Sequence, residues 1–199
     1  MTPTFEEALR VLRDGGVILY PTDTVWGIGC DATDPDAVAR IFSIKKRDDS
    51  KSLVLLAADL DMVARYIRQV PSMAVDLVEV NDRPMTIIYP GAIATTREAP
   101  AKQKYRLAWN VVAADGSVGI RIPMMQELRD LCFKLGRPIV STSANISGEP
   151  SPLCFKEIPE EIKAAVDCVI SPKYEAGSTG KASQIIKVGL DDTVEIIRM

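Results

Sequence analysis

The chain is 199 residues long, 47% hydrophobic and 26% charged, which suits one soluble globular domain with a real core. A formal net charge of -3 counts against a broadly basic nucleic-acid surface, and the lack of histidine rules out Ser-His-Asp and Cys-His nucleophiles and a histidine general base. No apolar run reaches the roughly 20 residues that cross a bilayer, and Met1 to Glu7 lacks a signal peptide's basic start and apolar stretch. A cytoplasmic protein without a membrane partner is expected, with the scattered Cys30, Cys132, Cys154 and Cys168 as reduced thiols.

Glu6 to Asp14 is predicted as a first helix, with Ala8, Leu9, Val11 and Leu12 apolar and Gly15-Gly16 as its stop. Val17 to Tyr20 follows as a buried strand that halts at Pro21 and gives way to Thr22-Asp23-Thr24 and a Gly-rich turn. Polar side chains at the end of a core strand sit where α/β sheets form ligand crevices. Gly27 and Gly29 allow close approach of a ligand or of another backbone. Asp34-Pro35 opens a second helix with Ala37, Val38, Ile41 and Phe42 on its apolar face.

Leu53 to Leu56 is predicted as a strand, Asp59 to Tyr66 and Ser72 to Val80 as helices, and Met85 to Tyr89 as a strand ended by Pro90-Gly91. Ile93 to Gly116 has mixed charge and little periodicity and reads as a long loop, a class that is usually functional or mobile. Then come a strand from Val118 to Ile122, a helix from Gln126 to Leu135 closed by Gly136, and a strand from Pro138 to Val140. A helix from Glu160 to Ala165 and strands from Cys168 to Ile170, Gln184 to Val188 and Val194 to Ile197 finish the chain. The incomplete alternation of strands and helices predicts a three-layer α/β domain over 1–199, a mixed twisted sheet flanked by helices.

Four clusters could carry chemistry. Thr22-Asp23-Thr24 is either a turn satisfied by its own side chains or part of a ligand site. Lys45-Lys46-Arg47-Asp48-Asp49-Ser50-Lys51 is a solvated helix end, or places Lys45, Arg47 and Lys51 around phosphates. Lys45 and Arg47 end a helix near the surface, so either should be replaceable without loss of the fold. Ser141-Thr142-Ser143-Ala144-Asn145 has more small polar residues than one helix cap needs and suits a cradle for a phosphate or a small polar substrate. Arg121, among the apolar residues of its strand, needs either an internal carboxylate, Asp115 or Asp23, or an anionic ligand.

In this order, Tyr20-Pro21-Thr22-Asp23-Thr24-Val25-Trp26-Gly27, Lys45-Lys46-Arg47 and Ser141-Thr142-Ser143-Ala144-Asn145 resemble the signature of YrdC-like threonylcarbamoyl-AMP synthases, over about Phe5 to Arg198. The resemblance implies a YrdC/RibB-like α+β fold and a reaction in which L-threonine, bicarbonate or carbon dioxide, and ATP give threonylcarbamoyl-AMP and pyrophosphate. It implies that Lys45, Arg47, Ser143 and Asn145 are catalytic. It assigns Arg47, Lys51, Ser117, Asn145 and Arg198 to ATP, and Thr24, Arg121, Ser143 and Ser183 to threonine. Mg2+ would be carried by the ATP phosphates rather than by a protein metal site. The product would reach tRNA, beside the anticodon, through a separate threonylcarbamoyl transferase complex, with the enzyme a monomer or a homodimer. The chain ends just past Arg198, so the C-terminal domain of longer members is expected to be absent.

The chain departs from the family pattern at several positions. Trp26 stands for the usual Tyr, Asp48 for a Pro, and Leu56 for a histidine near the threonine. Asn81-Asp82-Arg83-Pro84 replaces a Trp-Pro-Gly-Pro stretch, Leu153 replaces a hydroxyl, and Gln184 replaces a Thr. Two other readings are a non-catalytic RNA-binding module of the same fold and a paralogue acting on another small substrate. The net charge counts against the first and the retained Ser143 and Asn145 against the second.

Overall fold

Side-chain acceptors start the two N-terminal helices. Glu7 Oε2 accepts the Thr4 amide at 2.8 Å ahead of α1 (Phe5–Arg13), and Asp34 accepts the Asp36 and Ala37 amides at the start of α2 (Pro35–Lys45). The computed structural model describes residues 4–46, 53–99 and 104–199. α2 buries Ala37, Val38, Ile41, Phe42 and Lys45, one stripe of helical spacing whose last member is a lysine.

The strands are β1 (Ile18–Tyr20), β2 (Gly27–Gly29), β3 (Val54–Leu56), β4 (Met85–Tyr89), β5 (Val118–Arg121), β6 (Ile139–Ser143), β7 (Cys168–Val169), β8 (Gln184–Val188) and β9 (Val194–Arg198). Among the described residues they form one mixed sheet in the order β7-β1-β2-β6-β3-β5-β4-β8-β9. β1–β7, β3–β5 and β4–β8 are parallel and the other neighbours antiparallel. Helices α3 (Leu60–Tyr66), α4 (Ser72–Glu79), α5 (Gln126–Leu135) and α6 (Glu160–Ala165) complete the layers. The mixed sheet flanked by helices is the architecture that the alternation of elements predicts.

Register brings the two hydroxyl-rich segments together. β1 and β2 pair Tyr20 with Gly27, and β2 pairs Gly27 with Ser143, so the 21–26 connection and the end of β6 are spatial neighbours. Two sequence expectations change here. The Gly-rich turn is the strand β2, and Ser141 to Ser143 continue β6 instead of following it. Gly29 is needed for sheet contact: a Cβ there would lie 2.0 Å from the Val140 carbonyl oxygen. Gly29→Ala should therefore lower the urea midpoint, at an overpacking cost of about 1–3 kcal/mol. Gly27→Ala, whose Cβ meets nothing closer than 3.5 Å, should fold normally. An unchanged midpoint for Gly29→Ala would refute the close-contact reading.

The 93–116 segment is also more anchored than its composition suggests. Leu107, Ala108 and Val111 are fully buried, and a 3-10 turn spans Trp109–Val111. The Ala108 amide donates to the Ala32 carbonyl at 2.8 Å, and Asn110 Nδ2 donates to the Pro35 carbonyl at 2.9 Å. Single apolar anchors spaced along a polar stretch give no period to read, yet they bind its described part to the core.

Candidate active site

The connection between β1 and β2 supplies a nearly closed hydrogen-bond circuit. Thr22 Oγ1 donates to the Val25 carbonyl at 2.7 Å and accepts from the Thr24 amide at 3.0 Å. The hydroxyls of Thr22 and Thr24 lie 2.8 Å apart. From outside the turn, the Thr24 carbonyl accepts the Gly180 amide at 2.8 Å and the Ser178 hydroxyl, and the Asp23 carbonyl accepts the Thr179 amide at 3.1 Å. Thr24 thus has little freedom to move.

Arg121, the last residue of β5, points at this turn. It is 4% exposed, with Nη1 3.1 Å from Asp23 Oδ1 and donating to Thr24 Oγ1 at 3.2 Å. Burial pulls its pKa down, and the neighbouring Asp23 carboxylate pushes it back up. Asp23 Oδ2 accepts the Met124 amide at 3.0 Å, so Asp23 is both the partner of the buried cation and a turn anchor. Asp115, the other expected partner, is engaged elsewhere. It accepts the Ser117 hydroxyl at 2.6 Å and amide at 3.0 Å and pairs with Lys187 at 3.1 Å, which together hold its pKa down at about 2.

Thr24, Arg121, Ser143, Ser183 and Arg198 line one cleft with a cavity volume of about 230 Å³. Drug-sized ligands take about 300–1,000 Å³, so this space suits something of amino-acid size, with a larger ligand extending beyond it. Trp26 forms a wall: its Nε1 donates to Glu175 Oε2 at 2.7 Å and its ring lies 5.2 Å from that of Phe155. The same Glu175 oxygen accepts the Phe155 amide at 3.0 Å. Across the cleft, Arg198 donates through Nε at 3.0 Å and Nη2 at 2.6 Å to the Ser183 carbonyl, which ties β9 to the cleft wall.

Lys45 is not the surface residue its helix-end position suggests. It is 2% exposed, and Nζ donates to the carbonyls of Ser143 and Asn145, the latter at 2.7 Å, and to Asn145 Oδ1 at 3.3 Å. Asn145 Oδ1 also accepts the Ser143 hydroxyl, while its Nδ2 donates to the Ile146 and Glu149 carbonyls at 3.0 and 2.6 Å. Both donors and both lone-pair positions of that amide are therefore engaged inside the turn. Ser117 lies outside the cleft, in an adjoining hollow of about 150 Å³ that shares Leu53, Val54 and Ile185 with it. Thr86 lines that hollow and contacts the Ser183 hydroxyl at 2.8 Å. Arg47 and Lys51 lie outside the described residues.

A buried guanidinium, aligned hydroxyls and an aromatic wall can bind and orient an anionic amino acid. Among the described residues, no group of three or more Cys, Asp or Glu could hold a metal ion, and no helix is long and apolar enough to cross a membrane.

The Sua5_yciO_yrdC family model, described as telomere recombination, matches residues 10–199. The chain belongs to the Sua5/YciO/YrdC family. A relative from Stenotrophomonas maltophilia named threonylcarbamoyl-AMP synthase is 33% identical over 91% of this chain and 90% of its own length. The crystal structure of P. abyssi Sua5 complexed with L-threonine superposes with a TM-score of 0.76 at 27% identity, over 92% of this chain. This chain spans about half of that protein, 50% of its length. E. coli YciO superposes with a TM-score of 0.73 at 26% identity, over 98% of this chain and 87% of its own.

In this Sua5/YciO/YrdC fold, all four residues expected to hold threonine share the cleft, and Arg198 joins them. Asn145 and Lys45 sit behind Ser143. Leu56, fully buried, pairs with Arg121 across β3 and β5 and adds no polar atom. Ser141, which the sequence placed in the candidate cradle without a role of its own, also lines the cleft, as does Ser151, which was not singled out. Ser141 could have been found once β6 was extended, because residues two apart in a strand share a face and Ser143 is two positions on. Ser151 has no comparable local signal.

Proposed function

We propose that this chain is an L-threonylcarbamoyladenylate synthase acting as a single domain in the cytoplasm. Buried Arg121, facing a hydroxyl-lined cleft of amino-acid size, carries the reading, and the names of the relatives support it. The threonine carboxylate would meet the Arg121 guanidinium, with Thr24, Ser143 and Ser183 around the rest of the molecule. The amine adds to carbon dioxide and loses a proton to solvent. A carbamate oxygen then forms a bond to the α-phosphorus of ATP as the bond to the departing pyrophosphate breaks. Such a displacement depends on positioning and charge stabilisation more than on a protein nucleophile, which suits a chain without histidine.

Arg198, Ser117, Arg47 and Lys51 are the residues we assign to ATP. Mg2+ would arrive with the ATP phosphates, where the ion neutralises phosphate charge. The product would pass to a separate transferase acting on tRNA.

Mass spectrometry of the product from ATP, L-threonine and bicarbonate is the direct test. Pyrophosphate release should require both co-substrates, and ATP turnover indifferent to either refutes the proposal. The apolar Leu56 beside Arg121 favours one second reading, a paralogue taking a different amino acid. Equal or better turnover with another amino acid in the same assay would select it.

A further inference from the structure

We infer that Thr22, which does not line the cleft, is a positioning residue that fixes the polarity of the Thr24 hydroxyl, so that Thr24 accepts a hydrogen bond from the amine of the bound amino acid. The inference rests on the synthase reading for the identity of the ligand and deepens it. A hydroxyl has one hydrogen and two acceptor positions. Thr22 spends its hydrogen on the Val25 carbonyl, which can only accept, at 2.7 Å. In the contact of 2.8 Å between the two hydroxyls, Thr24 must therefore be the donor.

The Thr24 amide, at 3.0 Å, takes the other acceptor position of Thr22, which closes that oxygen. Thr24 Oγ1 has then given its hydrogen to Thr22 and received one from Arg121 Nη1 at 3.2 Å. What remains is one lone pair on a residue that lines the cleft. It can accept from an N–H group and can give nothing to a carboxylate.

This divides the ligand between two neighbours. Arg121 offers only donors and takes the carboxylate; Thr24 offers only an acceptor and takes the amine. The amine keeps an N–H after it becomes a carbamate, so the contact survives the first chemical step. Thr22 itself is 3% exposed and lies on the wall of a separate hollow of about 370 Å³, away from the ligand. A valine there keeps the shape and frees the Thr24 hydroxyl to turn.

The test is calorimetric binding of L-threonine and of 3-hydroxybutanoate, which keeps the carboxylate and hydroxyl but has no amine, to the full chain and to Thr22→Val and Thr22→Ser. Thr22→Val should weaken L-threonine about tenfold while 3-hydroxybutanoate changes by less than about twofold, and Thr22→Ser should restore L-threonine binding. Equal weakening of both ligands indicates a merely structural role and overturns the inference, as does an unchanged affinity for L-threonine. Adenylate formation by the unmodified chain is measured in parallel. Its absence alongside the expected binding pattern overturns the synthase reading while supporting the role of Thr22.

Discussion

Arg121→Met is expected to lose both stability and L-threonine binding. Asp23 is 9% exposed, and its Oδ1 accepts no hydrogen bond among the described residues, so the guanidinium 3.1 Å away compensates a carboxylate that water hardly reaches. Removing one member of such a buried pair costs about 3–5 kcal/mol, read as a large fall in the urea midpoint. Losing the cation that donates directly to Thr24 in the cleft should weaken L-threonine more than a hundredfold, about 2.7 kcal/mol or more. The double variant Arg121→Met with Asp23→Asn separates the two effects. It leaves no buried charge unpaired, so most of the stability should return while L-threonine binding stays lost. A single variant with an unchanged midpoint would refute the compensating role of Arg121. A double variant that binds L-threonine normally would remove it as the carboxylate anchor.

The need of Arg121 for a partner was legible in the sequence, because an arginine in an apolar strand is costly alone. Which partner was not legible. Asp115 is six residues away and Asp23 is almost a hundred, and only the tertiary fold sends Asp115 to Ser117 and Lys187. The same division holds for the fold. α5, α6, β4 and β8 match their predicted bounds because Gly136, Pro90 and the apolar period mark them locally. β2 was not legible, since Gly-Ile-Gly has the composition of a turn and becomes a strand only through pairing with β1 and with β6, more than a hundred residues on. The polar half of β6 was hidden for the same reason. Resemblance assigned roles to the site residues; the structure adds which of them share one space and what holds them there.

Lys45→Met is the second variant with a large expected effect, and it distinguishes two functions of one side chain. If the ammonium served only as a phosphate ligand, its loss would raise the KM for ATP and leave the urea midpoint unchanged. Its position argues for more. Lys45 continues the buried stripe of α2, four residues after Ile41 and seven after Val38, a spacing that could have been read as inward-facing from the sequence. There it meets two backbone carbonyls and the Asn145 amide oxygen, at the turn that ends β6. Each buried acceptor left without its donor costs about 1–3 kcal/mol. Methionine fills much of the space but donates nothing, so the midpoint should fall by an amount equivalent to about 3 kcal/mol. Ser143 lines the cleft and belongs to the same turn, so adenylate formation should fall with L-threonine affinity as well as with ATP affinity. A stable variant impaired for ATP alone would return Lys45 to the phosphates. A destabilised variant impaired for both substrates would make it the residue that holds the Ser143–Asn145 turn in the shape the cleft requires.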